Sequence, residues 1–150
     1  MTYLLDTCII SRLRKLKKTP DTDLSNWITK HSENQFYLSS LTLGEIQAGI
    51  AKLKSDNLEE SKQKMILEEW LFGDLIPRFQ NRILEITLPI ALKWGDLAGK
   101  ARQKGEILPA IDGLIAATAI HHNFIVVTDN TKHFAPHGVI TFNPWLTKTS

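Results

Sequence analysis

Short runs of apolar and β-branched residues recur along the chain and predict five strands. These runs occupy residues 3–5, 36–38, 83–87, 125–127 and 139–142. Runs of this length and composition are typical of buried strands.

Apolar residues at helical spacing occupy the segments between these runs. The predicted helices cover residues 21–30, 42–54, 57–78, 90–104 and 109–121, with an interruption of the third near Gly73 and Pro77. Pro89 suits the first turn of a helix, and Gly105 suits its end. Parallel strands need a crossover connection, which a helix provides. The alternation therefore predicts a three-layer α/β sandwich with a mainly parallel central sheet flanked by helices.

The length and composition fit one ordinary globular domain. The chain has 150 residues, of which 43% are hydrophobic and 23% charged, so we expect a single domain over residues 1–150 and exclude disordered and collagen-like classes. The formal net charge of +2 is too small to imply nucleic-acid binding. The distribution is uneven, however, because five cations lie within seven positions: Arg12, Arg14, Lys15, Lys17 and Lys18.

Cysteine content and apolar run lengths indicate a cytoplasmic protein without membrane association. Cys8 is the single cysteine, which excludes an intrachain disulfide and a cysteine-based zinc knuckle. The short apolar run at the amino terminus contains Asp6 and has no basic region before it, so it does not resemble a signal peptide. No segment approaches the roughly 20 uninterrupted apolar residues of a membrane span.

Acidic residues follow two of the predicted strands. Asp6 comes directly after the first, and Asp129 and Asn130 come after the run that ends at Thr128. Ligands of parallel α/β sheets bind beyond the carboxyl ends of the strands. We therefore expect these side chains to meet at one edge of the sheet.

Two further acids lie near predicted helix starts, where each has a structural alternative. Asp112 lies at the border of an apolar stripe, where it should be partly buried, and an acid in a first turn also complements the helix dipole. Glu45 stands three residues after Thr42, which is the spacing of a capping box.

Taken together with Asp6 and Asp129, these positions favour a different interpretation. Converging carboxylates repel one another unless a cation lies among them, and oxygen-only ligation suits Mg²⁺ or Mn²⁺. Such ions activate water and stabilise charge on a phosphodiester.

Five ordered blocks carry a resemblance to a known family. The blocks are YLLDTCIIS at 3–11, SSLTLGEIQAG at 39–49, DGLIAATA at 112–119, VVTDNTKHF at 126–134 and NPW at 143–145. In order and spacing they resemble the PIN-domain family, and within it the VapC-type toxins of type II toxin–antitoxin systems. The resemblance covers essentially the whole chain.

The resemblance implies a PIN-like fold and a metal-dependent endoribonuclease that hydrolyses RNA phosphodiester bonds with Mg²⁺ or Mn²⁺. It also implies inhibition by a small cognate antitoxin, a homodimeric toxin and a toxin–antitoxin hetero-oligomer. By position, Asp6, Glu45 and Asp112 match the acidic site of the family. Asn130 matches the fourth position, while Asp129 stands where arginine is common.

The charge argument instead favours Asp129 at this fourth position, because a carboxylate neutralises a dication better than an amide does. Both residues therefore remain site candidates. Cys8 stands where the family frequently has asparagine, and a thiol packs there as a small apolar group.

Other features indicate partners or rival functions. The five cations between Arg12 and Lys18 are candidates for RNA contact, and Trp27 is a candidate for an antitoxin groove. Residues 95–101 resemble a phosphate-binding loop but are one residue short and continue a helical pattern. Four histidines near the carboxyl end could suggest a zinc site, but Pro136 excludes a simple helical His-x-x-x-His arrangement, so we expect surface or loop residues: His121, His122, His133 and His137.

Two rival functions stay open on the sequence alone. One is a non-catalytic RNA-binding PIN module, because Asn130 leaves the fourth position without an acid. The other is a flavodoxin-like nucleotide-binding or phosphoacceptor domain.

Overall fold

Five parallel strands form the central sheet of the computed structural model, which describes residues 1–146. The strands are β1 (Tyr3–Leu5), β2 (Phe36–Ser39), β3 (Ile83–Leu84), β4 (Ile125–Val127) and β5 (Thr141–Phe142), in the order β3-β2-β1-β4-β5. All five predicted strands are present, and the third and fifth are shorter than the apolar runs that predicted them.

The strand order reverses beside β1. Leu5 of β1 lies opposite Val127 of β4, while β2 lies on the other side of β1. A flavodoxin-like sheet places its first strand between the second and the third, so the flavodoxin-like alternative is wrong. In open α/β sheets the ligand binds at the point of reversal. That point here is the carboxyl edge shared by β1 and β4.

Seven α-helices surround the sheet in the described part of the chain. They are α1 (Thr7–Arg14), α2 (Thr22–Thr29), α3 (Ser40–Ala51), α4 (Leu58–Trp70), α5 (Ile76–Arg78), α6 (Leu88–Gln103) and α7 (Ala110–His122). A π-helical turn at Leu71–Leu75 joins α4 to α5, where Gly73 and Pro77 predicted an interruption. Residues 95–101 lie inside α6, as their helical pattern indicated. No helix in residues 1–146 is both long enough and apolar enough to span a membrane.

Helix α1 is the element that the hydrophobic pattern did not predict. Its first turn contains the β-branched residues Thr7, Ile9 and Ile10, which have modest helix propensity. The helix begins because Oδ1 of Asp6 accepts a hydrogen bond from the backbone N–H of Thr7 at 2.8 Å. Burial of Ile9 and Ile10 then supplies the packing energy.

The sheet separates two hydrophobic clusters, which gives the three layers expected from the alternation of elements. Tyr3 and Leu5 pack in one cluster with residues of α1 and α2, whereas Leu4 packs in the other with residues of α6 and α7. Successive side chains of a strand point to opposite faces, so β1 is covered on both.

Trp27 belongs to this core and is not an exposed recognition residue. It is 9% exposed, and its indole stacks on Phe142 with ring centroids 5.1 Å apart. Its proposed role in an antitoxin groove was wrong, because the apolar face of α2 packs against β1, β2 and β5.

Candidate active site

Asp6 occupies the point where the strand order reverses. It follows β1, caps α1, and its backbone N–H donates to the carbonyl of Val127 at 3.0 Å. Its Oδ2 accepts a hydrogen bond from the hydroxyl of Thr128 at 2.9 Å. Asp6 is therefore held by groups from both central strands.

Thr128 fixes the turn after β4 to Asp6. Its side chain is fully buried, and its Oγ1 accepts from the backbone N–H of Asn130 at 3.0 Å while it donates to Asp6. The Sγ of Cys8 lies 3.8 Å from Oδ2 of Asp6 and 3.9 Å from Oγ1 of Thr128. The orientation of the Asp6 carboxylate is thus determined by neighbours on α1 and after β4.

Glu45 faces Asp6 from α3 through Thr7. Oε1 of Glu45 accepts a hydrogen bond from the Thr7 hydroxyl at 2.7 Å, and that hydroxyl also lies 3.3 Å from Oγ1 of Thr42. The capping-box alternative is wrong, because α3 begins at Ser40 with Ser39 as its cap, and Thr42 lies inside the helix. Glu45 is therefore available to the site.

Asp112 reaches the same region from the first turn of α7. Its side chain is 28% exposed, in agreement with the expected partial burial, and its Oδ2 lies 3.2 Å from Nδ1 of His133. Gly113 follows it, and a Cβ there would lie 2.9 Å from both Leu108 Cδ2 and Trp94 Cδ1. The missing side chain lets α7 approach α6 closely and so sets the position of Asp112.

The three carboxylates interact electrostatically. Burial raises the pKa of Asp6 above its usual value, and the negative charges of Asp112 and Glu45 raise it further. Hydrogen bonds from Thr128 and from the backbone of Thr7 oppose this rise in pKa. Of the four acids that the sequence predicted to converge, the fold therefore places Glu45 and Asp112 within electrostatic range of Asp6.

Asp129 and Asn130 lie at the rim of this acidic region. Oδ2 of Asp129 lies 3.3 Å from a guanidinium nitrogen of Arg12, and its backbone carbonyl accepts from Nδ2 of Asn143 at 3.4 Å. Asn130 precedes the 3₁₀ turn Thr131–His133, and both residues are exposed. Within residues 1–146 no hydrogen bond joins either side chain to Asp6, Glu45 or Asp112.

Of the five basic residues between Arg12 and Lys18, the two arginines contact aromatic rings and the three lysines are exposed. Arg12 lies over the ring of Trp145, 4.3 Å from the ring centroid, and contacts Asp21 as well as Asp129, while Arg14 lies over Trp70. The exposed lysines are Lys15, Lys17 and Lys18. At a rise of 1.5 Å per residue, Lys15 lies about 13 Å along the chain axis of α1 from Asp6. Lys15 therefore lies well beyond hydrogen-bonding distance of Asp6.

The donor set of the acidic region suits a hard divalent cation. As they stand, no three His, Cys, Asp or Glu side chains of residues 1–146 are grouped to hold a metal ion directly. Mg²⁺ is usually bound through only one or two carboxylates and keeps several of its waters, so it does not require such a close group. A cation held near Asp6 would relieve the repulsion between its carboxylate and those of Glu45 and Asp112.

Sequence reasoning missed the residues that orient the acids. Thr7 and Thr128 directly flank candidate acids in the chain, and that adjacency was the available signal. His133 is exposed in a turn, as expected, but its contact with Asp112 was not predicted, because it depends on the path of the chain after β4.

Comparisons with known proteins agree with the fold. A family model described as PIN domain matches residues 3–136. The chain is 33% identical over 142 residues to "VapC ribonuclease Y4jK" of Sinorhizobium fredii (strain NBRC 101917 / NGR234), covering 95% of this chain and 96% of that protein. It is 34% identical over 142 residues to "Toxin FitB" of Neisseria gonorrhoeae (strain ATCC 700825 / FA 1090), covering 95% and 97%. Among solved structures, "Structure of FitAB bound to IR36 DNA fragment" is similar with a TM-score of 0.84 and 32% identity, covering 99% of each chain.

Proposed function

This chain belongs to the PIN-domain family, and from that premise we propose that it is a VapC-type toxin, an endoribonuclease that hydrolyses RNA phosphodiester bonds with Mg²⁺ or Mn²⁺ and is inhibited by a cognate antitoxin. The observation that carries the proposal is the meeting of Asp6, Glu45 and Asp112 at the point where the strand order reverses. This is the place at which an open α/β sheet binds its ligand.

The energetic cost of this arrangement supports a functional role for the acids. Asp6 is partly desolvated and lies within the electrostatic range of two like charges, which destabilises its ionised form. A structural network would place a cation there, but Arg12 pairs with Asp129 and Asp21 instead. A divalent cation that enters with the substrate would compensate the repulsion.

The protein residues in this proposal hold and orient oxygen donors. Thr128 and the Thr7 backbone fix the two oxygens of Asp6, and the Thr7 hydroxyl fixes one oxygen of Glu45. Asp112 completes the acidic set, with His133 3.2 Å from its Oδ2 and open to an approaching phosphate. When bound, Mg²⁺ or Mn²⁺ supplies positive charge at the scissile phosphodiester and lowers the pKa of an attacking water.

The two rim residues have different parts in the proposal. Asn130 contributes an amide oxygen to the ion or to one of its waters, and Asp129 acts at the edge of the site. The backbone of Asn130 already depends on Thr128, which binds Asp6, so the turn links both rim residues to the central acid.

Cleavage of labelled RNA by the purified chain tests the proposal. We expect activity that requires Mg²⁺ or Mn²⁺, is abolished by EDTA and is restored by added Mn²⁺. Asp112→Asn should abolish cleavage, whereas Asp96→Asn, a matched change at an exposed acid of α6, should not. Cleavage that persists in EDTA would contradict the metal dependence.

A non-catalytic RNA-binding module is the second candidate, favoured by the amide at position 130. It predicts RNA binding by the wild-type chain with no cleavage at any concentration of divalent ion. Asn130→Asp would then be the informative variant, because it restores a fourth carboxylate without changing the size of the side chain.

A groove of about 530 Å³ between α1, α2 and the α4–α5 segment is the proposed seat of the antitoxin. Leu16, Ile28 and Trp70 line it with apolar surface, and Arg14 and Lys17 add positive charge. Such a surface suits an amphipathic helix with acidic residues beside its apolar face.

Co-expression with the product of any small reading frame found beside its gene tests this seat. The partner should co-purify with the wild-type chain and suppress RNA cleavage. Leu16→Glu should weaken the complex, whereas Leu58→Glu, at an exposed position outside the groove, should not. An intact complex with Leu16→Glu would place the antitoxin elsewhere.

The homodimer is part of the same proposal. Leu88 and Leu92 lie one turn apart on α6 and are 72% and 64% exposed, which is unusual for two neighbouring leucines on a helix. A second copy of the chain would cover this surface. Light scattering of the purified chain should give a dimer mass, and Leu92→Glu should shift it towards the monomer.

A further inference from the structure

A second groove, of about 270 Å³, lies along α6 away from the acids and is rich in lysine. Lys93, Lys100 and Lys104 line it together with His137. Its other wall is the segment that contains Pro136 and Gly138, which follows the 3₁₀ turn of His133. Neither the proposed catalysis nor the core packing accounts for this concentration of positive charge.

The lysines form one stripe on α6. They are separated by seven and four residues, so at 3.6 residues per turn they lie within about 40° of one another around the helix. At 1.5 Å per residue the stripe is about 16 Å long. Leu97 and Ala101 lie beside it and are buried, so the stripe borders the packed face of α6 and forms a wall of the groove.

The charge of this stripe has no ion-pair partner in the described part of the chain. Among residues 1–146 no ion pair involves Lys93, Lys100 or Lys104, although Glu106, the single acid that lines the groove, is close in sequence to Lys104. Like charges four residues apart on a helix destabilise it slightly. An extended anion in the groove would remove that repulsion.

Both walls of the groove lead to the acidic region. On α6, Trp94 follows Lys93 and packs against Gly113, the residue after Asp112 in the first turn of α7, so the Lys93 end of the stripe is level with Asp112. On the other wall, His137 lies four residues after His133, whose ring contacts Asp112. The groove therefore runs from the vicinity of Asp112 outward along α6.

We propose that this lysine groove binds the phosphate backbone of single-stranded RNA on one side of the scissile bond. The inference rests on the proposed ribonuclease function and adds to it a path for the substrate. Lysine ammonium groups neutralise phosphates without recognising bases. The groove therefore contributes binding affinity and sets the direction of the RNA, and it does so equally for RNAs of any sequence.

Salt-dependent binding of RNA tests the groove. We would measure the fluorescence anisotropy of two labelled single-stranded 15-nucleotide RNAs of unrelated sequence, in an Asp112→Asn background with Mn²⁺. The test variant is Lys93→Gln/Lys100→Gln/Lys104→Gln. The control is Lys52→Gln/Lys54→Gln/Lys62→Gln, which removes the same charge from exposed positions outside the groove. A Lys93→Arg/Lys100→Arg/Lys104→Arg variant keeps the charge and reports on folding.

The groove variant should bind both RNAs at least tenfold more weakly than the control. Because each phosphate contact to a single strand contributes about 0.7 to the slope of log K against log salt, the magnitude of that slope should fall by about 2. The arginine variant should retain the wild-type slope. Equal slopes for the groove variant and the control, with RNA still cleaved by the wild-type chain, would overturn RNA binding by the groove but not the proposed ribonuclease function. A wild-type chain that neither binds nor cleaves RNA would overturn the proposed function and the groove with it.

Discussion

Arg12 and Asp129 approach each other to 3.3 Å, from a guanidinium nitrogen to Oδ2, and so connect α1 to the turn after β4. Their side chains are 47% and 38% exposed, and Arg12 is also stacked over Trp145. This pair places the Asp129 carboxylate at the rim of the site, next to a cation of the protein itself. A contribution of Asp129 to activity should therefore depend on Arg12.

A double-mutant cycle checks that dependence. Asp129→Ala and Arg12→Ala should each reduce RNA cleavage several-fold, and the double variant should be no worse than the poorer single variant. An exposed ion pair is worth at most about 1 kcal/mol, so stability should change little. Strictly additive losses in cleavage would show that Asp129 acts independently of Arg12.

The neighbouring asparagine should have the larger effect. Asn130→Ala should weaken cleavage more than Asp129→Ala, and Asn130→Asp should tighten Mn²⁺ binding if the side chain reaches the ion, as measured by calorimetric titration. Full activity of Asp129→Ala beside an inactive Asn130→Ala would make Asp129 a surface acid without a catalytic part.

Removing a carboxylate from the site should separate activity from stability. Asp6→Asn and Asp112→Asn should abolish cleavage while the melting temperature of the metal-free protein stays level or rises, because each change relieves repulsion between like charges. Asparagine is also as good a helix cap as aspartate, so the start of α1 survives at position 6. Calorimetry and circular dichroism provide the measurement. An unfolded Asp6→Asn protein would count against this assignment.

Divalent ions should stabilise the wild-type chain in a pH-dependent way. At 100 times its dissociation constant a bound ion adds about 2.7 kcal/mol, which for this chain length corresponds to roughly 5–10 °C in melting temperature. Because the pKa of Asp6 is raised above 3.8 in the folded state, its protonated form favours folding. That contribution is complete below 3.8 and is lost as the pH rises through the raised pKa.

Without metal, the stability of wild type relative to Asp6→Asn should therefore decrease as the pH rises through this window, and the stabilisation by Mn²⁺ should grow over the same range. Thermal melts of both proteins at several pH values, with and without Mn²⁺, give the comparison. A wild-type melting curve that millimolar Mn²⁺ leaves unchanged would support the non-catalytic alternative.

Gly113 should tolerate no side chain. A Cβ at this position would lie 2.9 Å from Leu108 and Trp94, so Gly113→Ala must displace the packing of α7 against α6. We expect a loss of about 1–3 kcal/mol and a fall in cleavage as Asp112 moves. Gly95→Ala is the matched control, because nothing lies within 4 Å of its Cβ, and it should stabilise α6 by up to about 1 kcal/mol. Equal stabilities of the two variants in urea unfolding would contradict this account of α7.

Cys8 should be nearly inert in the folded protein. Burial raises the pKa of its thiol to about 12, and the nearby charges of Asp6 and Asp129 contribute to the rise. At pH 8 the thiolate fraction should then be lower by about a thousandfold than in the unfolded chain, where the pKa is about 8.5. Iodoacetamide labelling followed by mass spectrometry should show a correspondingly slow native rate. Comparable rates in the native and urea-unfolded protein would contradict the burial of this thiol.

The sequence by itself determined the layers of the fold and put forward the acids of the candidate site. The strands at Tyr3–Leu5 and Ile125–Val127 were predictable because a buried strand needs a continuous apolar run, and that requirement is local. Asp6 was a candidate because it directly follows such a run at the edge of a parallel sheet, whereas Glu45 and Asp112 became candidates through the combined set of acids and the family resemblance.

Only the tertiary structure decided which side chains orient these acids and where the basic side chains near them lie. The bond from Thr128 to Asp6 joins residues 122 positions apart, and the pair of Arg12 and Asp129 joins residues 117 positions apart. Helix α1 likewise depends on its cap, Asp6, and on the burial of Ile9 and Ile10 in the hydrophobic core, rather than on the helix propensity of its own residues. Such contacts have no local signature, because they arise from the pairing of β1 with β4, which brings two turns together that the chain keeps far apart.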